Sequence, residues 1–110
     1  DNHIKILGNI DKTLSIIKKK KINDYKIECE NFLEVQKVIK AGGTYILLDN
    51  MKISEIKKCL NSKKKKIRFE ITGGITLKNI SKYSKLGADY ISTSKITNSP
   101  NSVDIGLDII

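Results

Sequence analysis

Four predicted strands of this chain each end in a polar residue, and these polar residues follow one another at a nearly constant interval. Their separations are 21, 23 and 22 positions, in the order Glu28, Asp49, Thr72 and Ser94. An interval of this length holds one strand, one helix and two short connections, as in the β/α unit of a parallel sheet. The spacing therefore predicts an α/β fold with parallel strands that all end on the same side.

An internal repeat supports this organisation. The segment Lys40–Ile46 (KAGGTYI) recurs two units later as Lys85–Ile91 (KLGADYI). In each copy a glycine can end a helix shortly before an apolar strand begins. The repeat and the spacing together predict the later half of a TIM-like β/α barrel, with an open doubly wound sheet as the alternative architecture.

The predicted helices have their own signals. Asp11 is expected to cap the first helix, and Asn31 with Glu34 three residues later resembles a capping box. Leu77 and Ile80 are expected on one side of the last helix. About four units fit into the chain, which is too few for a closed eight-unit barrel. Half of the barrel wall is therefore expected to be missing or supplied by another chain.

The formal net charge of +9 comes almost entirely from lysine. Two tetralysine runs, Lys18–Lys21 and Lys63–Lys66, follow predicted helices, where cations complement the helix dipole and face solvent. Because arginines and stacking aromatic residues are scarce, we expect no nucleic-acid partner. No apolar run approaches the roughly 18 residues that span a bilayer, so we expect no membrane segment. Cys29 and Cys59 are interpreted as reduced thiols of a cytoplasmic protein.

Glu28 and Asp49 are carboxylates at the ends of neighbouring predicted strands. Such a pair can hold a divalent metal such as Mg²⁺, directly or through water, or accept hydrogen bonds from sugar hydroxyls. The alternative is structural, since each carboxylate could cap a loop or the helix that follows it.

A second candidate site is the segment Thr72-Gly73-Gly74, where a strand ends and a helix is expected to begin. Glycines let the backbone approach a ligand, and free N–H groups at a helix start favour an anion. We therefore predict phosphate binding there, together with Ser94 at the next strand end. His3 is as compatible with a structural role as with a catalytic one.

Several ordered motifs strongly resemble the quinolinate phosphoribosyltransferase family, the carboxylating nicotinate-nucleotide pyrophosphorylases. They are DNHI at 1–4, IECEN at 27–31, LLDNM at 47–51, GGITLKNI at 73–80, DYIS at 89–92 and LDI at 107–109. The resemblance covers essentially all 110 residues. It implies that residues 1–110 are the carboxyl-terminal part of the family's barrel domain, with the amino-terminal domain and the first barrel strands absent.

The resemblance also implies an activity in NAD biosynthesis. Quinolinate and phosphoribosyl pyrophosphate would give nicotinate mononucleotide, pyrophosphate and CO₂, with Mg²⁺, in a cytoplasmic homodimer. By position, Glu28 and Asp49 look like the acids that face the ribose and the metal. Thr72, which replaces a serine usual in the family, starts the phosphate loop, and Ser94 stands where glycine is usual. The alternative is a decayed or repurposed barrel half that binds phosphate or a partner without catalysis.

Overall fold

One six-stranded sheet organises the computed structural model, which describes residues 2–6 and 8–93 and the backbone of residues 107–109. The strands lie side by side in chain order, and β1 to β5 are parallel. The last strand, β6, pairs antiparallel with β5, which the expectation of parallel strands did not include. The strands are β1 (Asn2–Ile4), β2 (Tyr25–Cys29), β3 (Tyr45–Asp49), β4 (Arg68–Thr72), β5 (Tyr90–Thr93) and β6 (Leu107–Ile109).

Four helices alternate with the parallel strands in the described part of the chain. They are α1 (Ile10–Lys19), α2 (Phe32–Lys40), α3 (Ile53–Asn61) and α4 (Ile80–Ser84). In those same residues, no helix is both long enough and apolar enough to cross a bilayer.

The core lies between these helices and one face of the sheet. Ile27, Ile46 and Phe69 point to that face, and each is completely buried together with Val35 of α2 and Ile56 of α3. A doubly wound sheet would instead reverse its strand order and carry helices on both faces. Strands in chain order with the core on one face match the prediction of a barrel half.

The helix starts only partly follow the sequence signals. Asn31 caps α2 as expected, because its Oδ1 accepts a hydrogen bond from the Glu34 N–H at 2.9 Å. The cap of α1, however, is Asn9, whose Oδ1 accepts from the Asp11 N–H at 2.8 Å. The prediction that Asp11 caps this helix is therefore wrong, because Asp11 lies inside its first turn.

The last helix is shorter than its apolar pattern indicates. Asn79 Oδ1 accepts a hydrogen bond from the Thr76 N–H at 2.8 Å, and the Ile80 N–H donates to Thr76 O at 2.9 Å. These bonds close a turn over residues 77–79, so α4 begins only at Ile80. Leu77 is 63% exposed and does not lie on the buried side of a helix, contrary to the prediction.

The internal repeat corresponds to two equivalent corners of the fold. Gly42 and Gly87 follow α2 and α4 with φ of +95° and +92°, a region that non-glycine residues rarely adopt. The tyrosines of the two copies, Tyr45 and Tyr90, start β3 and β5 and stack across β4 with ring centroids 5.8 Å apart. The repeated segments therefore make the same helix-to-strand connection on either side of one strand.

The second lysine run is not simply solvated. Lys63 Nζ lies 2.5 Å from Asp89 Oδ1, and the Phe69 N–H donates to Asp89 Oδ2 at 2.9 Å. Burial raises the pKa of Asp89, but the hydrogen bonds from Lys63 and Phe69 and the charges of Lys63 and Arg68 outweigh it, so this pKa lies below its ordinary value. The Asp89 side chain, only 14% exposed, thus joins the segment after α3 to the sheet.

Substituting alanine for Asp89 is expected to lower the free energy of unfolding by about 2 kcal/mol at neutral pH, because charge-assisted hydrogen bonds are lost. A carboxyl group with a lowered pKa stabilises the fold above its unfolded pKa and loses this effect as pH falls through its folded pKa. The difference between wild type and Asp89→Ala in urea denaturation should therefore shrink as the pH falls toward about 3.

The control for this variant is Asp11→Ala. Asp11 pairs with Lys37 at 2.8 Å, but its side chain is 66% exposed, and exposed pairs contribute less than about 1 kcal/mol. Equal destabilisation by the two variants would contradict the role given to Asp89.

Candidate functional site

The inner face of the sheet, opposite the core, brings three of the predicted site residues together. Glu28 in β2 pairs with Leu47 in β3, and Asp49 lies two residues further along β3. Asp49 in turn pairs with Thr72 at the end of β4. Because side chains alternate between the faces of a strand, Glu28, Asp49 and Thr72 share one face. The diagonal step from Glu28 to Asp49 follows the stagger of strands in a barrel.

The two carboxylates border a small acidic cavity. The cavity holds about 200 Å³ and is lined by Lys5, Ile6, Glu28, Glu30, Glu34 and Asp49. Burial, the negative charges of Glu28 and Glu30, and a hydrogen bond with Glu28 raise the pKa of Asp49 above its ordinary value, while Lys5 partly opposes this. The cavity therefore disfavours two uncompensated carboxylates, and a cation or a sugar hydroxyl would relieve their repulsion.

Neither carboxylate caps the helix that follows it, as the structural alternative would require. Asn31 caps α2, which leaves no capping role there for Glu28. Lys52 occupies the cap position of α3 without a capping side-chain hydrogen bond, so Asp49 does not cap α3 either.

The glycine loop after β4 packs directly against Asp49. A Cβ atom built on Gly73 would lie 2.8 Å from Asp49 Oδ1 and 2.7 Å from Asn50 Oδ1, so a side chain at this position would displace these groups. Gly73 also has φ of +83°. The Asn50 N–H donates to Thr72 O at 3.0 Å, which joins the ends of β3 and β4. Glycine therefore lets the loop come this close without backbone strain and without displacing the carboxylate.

The loop is closed by Asn79 rather than by a helix. Asn79 Nδ2 donates to Gly74 O at 3.0 Å, and its Oδ1 takes the Thr76 N–H. Because α4 starts at Ile80 and has five residues, the expectation of a helix start directly after the glycines is wrong. An anion here would meet the loop backbone and the Thr72 hydroxyl, without support from a helix dipole.

Sequence reasoning assigned no role to Glu70, which is 8% exposed on the inner face. Tyr45 Oη donates to its Oε1 at 2.5 Å, and the Ser92 hydroxyl donates to its other oxygen. Glu70 thereby joins β3, β4 and β5 two residues before Thr72. The available signal was a single acidic residue between Phe69 and Ile71 in an apolar strand. Asn50 and Asn79 were likewise given no role, although both lie within the motifs at 47–51 and 73–80.

Of the two remaining candidates, Ser94 and His3, the structure describes only His3. Ser94, which follows β5 directly, lies outside the described residues. His3 does reach the site, with its Nε2 2.5 Å from Glu28 Oε2. Within the described residues, no group of three or more His, Cys, Asp or Glu side chains is arranged to hold a metal ion.

Comparisons with known proteins were made over the whole chain. Residues 1–108 match the family model described as the C-terminal domain of quinolinate phosphoribosyl transferase. The chain is 35% identical to a probable carboxylating nicotinate-nucleotide pyrophosphorylase of Methanocaldococcus jannaschii. It is 34% identical to a protein of the same description from Synechocystis sp.. Both alignments include the whole chain, which spans 42% and 39% of the length of these two relatives.

Solved structures show the same similarity in three dimensions. The nicotinate-nucleotide pyrophosphorylase from Ehrlichia chaffeensis superimposes with a TM-score of 0.72 at 32% identity, over 84% of this chain and 35% of that one. The enzyme of the same name from Francisella tularensis gives a TM-score of 0.70 at 24% identity over 84% of this chain and 34% of its own, which supports the fold alone.

Proposed function

This chain belongs to the family of the quinolinate phosphoribosyl transferase C-terminal domain, and from that premise we propose that it forms the phosphoribosyl-binding part of such an enzyme. The reaction converts quinolinate and phosphoribosyl pyrophosphate to nicotinate mononucleotide, pyrophosphate and CO₂ in NAD biosynthesis. One observation carries the proposal. Gly73 approaches Asp49 so closely that a Cβ atom would lie 2.8 Å from the carboxylate oxygen, so the glycine loop lies directly beside the acidic pair.

The glycine loop would hold the phosphate of the phosphoribosyl group. Gly73 and Gly74 both have positive φ, and without Cβ atoms their backbone N–H groups can approach phosphate oxygens. The Thr72 hydroxyl adds a donor at the end of β4, and Ser94 would add a second from the next strand end. Asn79 supports this role because its hydrogen bond to Gly74 O holds the loop in one conformation.

Glu28 and Asp49 would stabilise the sugar as pyrophosphate leaves. Bond cleavage places positive charge on the ribose ring, and nearby carboxylates interact favourably with that charge. Burial and the negative charges of Glu28 and Glu30 raise the pKa of Asp49, so two ionised carboxylates are disfavoured here before reaction. Their interaction with a cationic sugar is therefore stronger than with a neutral one, which is the condition for lowering the barrier.

Mg²⁺ fits the same pair of residues. Magnesium prefers hard oxygen ligands and typically uses one or two carboxylates together with water and substrate phosphates. Glu28 and Asp49 would hold it directly or through water, and it would supply compensation for the charge of the departing pyrophosphate. The geometry supports this assignment because Glu28 and Asp49 border the same acidic cavity.

We also propose that the enzyme is a cytoplasmic homodimer. The dimer is what the resemblance of the sequence motifs to the family implies. The compartment is supported by Cys29 and Cys59, which are both buried and free, as is usual where thiols remain reduced.

The purified chain is expected to bind phosphoribosyl pyrophosphate with Mg²⁺ but not to turn over quinolinate. The family resemblance places the residues that hold the quinolinate carboxylates in a part that this chain does not contain. Isothermal titration calorimetry measures the binding, and release of nicotinate mononucleotide measures turnover. Turnover by the chain alone would contradict the second expectation. If inorganic phosphate bound as tightly as phosphoribosyl pyrophosphate, a repurposed phosphate-binding barrel half would be the better description.

A further inference from the structure

His3 makes a direct contact with one member of the acidic pair. Its Nε2 lies 2.5 Å from Glu28 Oε2, and because an ionised carboxylate only accepts, the imidazole N–H donates. The Glu28 side chain is only 16% exposed, so the contact lies at a carboxylate that is largely shielded from solvent.

Glu28 lies between His3, which binds its carboxylate, and Asp49, which repels it. The strand order places β1, with His3, on one side of Glu28 and β3, with Asp49, on the other. The charges of Asp49 and Glu28 repel each other, and a glutamate side chain has enough rotatable bonds to swing away from its neighbour. Lys5 is a cation lining the same cavity, but the hydrogen bond to the Glu28 carboxylate comes from His3.

We propose that His3 is a positioning residue whose ring N–H holds the Glu28 carboxylate beside Asp49, in the orientation needed to receive the ribose of phosphoribosyl pyrophosphate. This inference rests on the proposed function of the site. The role requires an N–H donor at the position of Nε2 and does not require the imidazole to exchange a proton with substrate.

Two substitutions of His3 distinguish the effect of its N–H donor from the effect of its aromatic ring. His3→Gln keeps an N–H donor of similar reach, whereas His3→Phe keeps a flat ring and removes the donor. We expect His3→Gln to bind phosphoribosyl pyrophosphate with Mg²⁺ within about twofold of wild type and His3→Phe about tenfold more weakly. Binding of inorganic phosphate, followed through the Gly73 and Gly74 amide resonances, should be the same in all three proteins. The ¹³C resonance of the Glu28 carboxyl group should shift only in His3→Phe.

Each result of these binding and NMR measurements leads to a different conclusion. Unchanged binding of phosphoribosyl pyrophosphate by His3→Phe would overturn the inference, as would an equal loss in His3→Gln. Equal weakening of inorganic phosphate would show a general structural defect and also overturn it. If the wild-type chain did not bind phosphoribosyl pyrophosphate, the proposed function would fail. The Glu28 resonance would then still decide whether His3 positions that carboxylate, because this measurement needs no ligand.

Discussion

Asp49→Asn is expected to lower kcat/KM for phosphoribosyl pyrophosphate about a hundredfold, in an enzyme that joins this chain to the amino-terminal portion of its relatives. Asparagine keeps the size of the side chain and removes its charge. Loss of one electrostatic contact to a developing cation costs about 3 kcal/mol of transition-state stabilisation. Steady-state kinetics on both proteins checks this result.

The melting temperature of the same variant is not expected to fall. Burial and the charge of Glu28 raise the pKa of Asp49. A carboxyl group with a raised pKa stabilises the fold below its unfolded pKa and loses that contribution as pH rises through its folded pKa. At neutral pH the ionised Asp49 therefore disfavours the folded state, and an uncharged amide removes this cost.

Asp89→Asn provides the matched control for Asp49→Asn. Asp89 precedes β5, at the opposite end of that strand from the candidate site, and its lowered pKa reports a stabilising contact with Lys63. This variant should lower the melting temperature and leave turnover intact, which is the reverse pattern. If Asp49→Asn instead showed near-normal turnover with a lower melting temperature, Asp49 would be a structural residue.

Gly73→Ala is expected to weaken binding of phosphoribosyl pyrophosphate by at least about tenfold, because the added methyl group displaces either the loop or the Asp49 carboxylate. The new Cβ would lie 2.7 Å from Asn50 Oδ1 and 2.8 Å from Asp49 Oδ1. Alanine at φ of +83° also costs about 1–2 kcal/mol of backbone strain. Calorimetric titration gives the affinity, and urea denaturation gives the change in stability.

The effect of backbone strain without a collision can be measured with a substitution at Gly87. Its φ is +92°, and a Cβ there would meet nothing within 4 Å, so Gly87→Ala carries the backbone cost without the collision. We expect Gly87→Ala to lose stability and to bind phosphoribosyl pyrophosphate like wild type. Wild-type affinity in Gly73→Ala would refute the assignment of the glycine loop to phosphate.

The local sequence predicted the strands well and the helix starts less well. A polar residue closing a mainly apolar segment marks β2 to β5, because a strand covered by helices is largely apolar until it reaches solvent. The short strand β1 (Asn2–Ile4) lacks this pattern and was not predicted. Helix starts depend on competing hydrogen bonds of similar strength. Asn9 rather than Asp11 accepts hydrogen bonds from the first N–H groups of α1. Asn79 accepts the hydrogen bond of the Thr76 N–H, and α4 therefore begins later than its apolar pattern indicates. The direction of β6 depends on the path of the chain before it, which no local pattern records.

For the candidate site, the sequence by itself determined which residues reach the carboxyl ends of the strands. The spacing of β/α units and the alternation of side chains along a strand assign Glu28, Asp49 and Thr72 to one edge and one face. Both are properties of a single strand and its connection. They need no knowledge of how neighbouring strands are aligned.

Only the tertiary structure decided which of these groups touch. The hydrogen bond from His3 to Glu28, the contact of Gly73 with Asp49 and the burial of Glu70 all depend on the register between strands. A shift of register by two residues would keep every side chain on its face and separate each of these contacts. Register is set by core packing between segments distant along the chain, so the short-range pattern could place the acids at one edge but could not pair them.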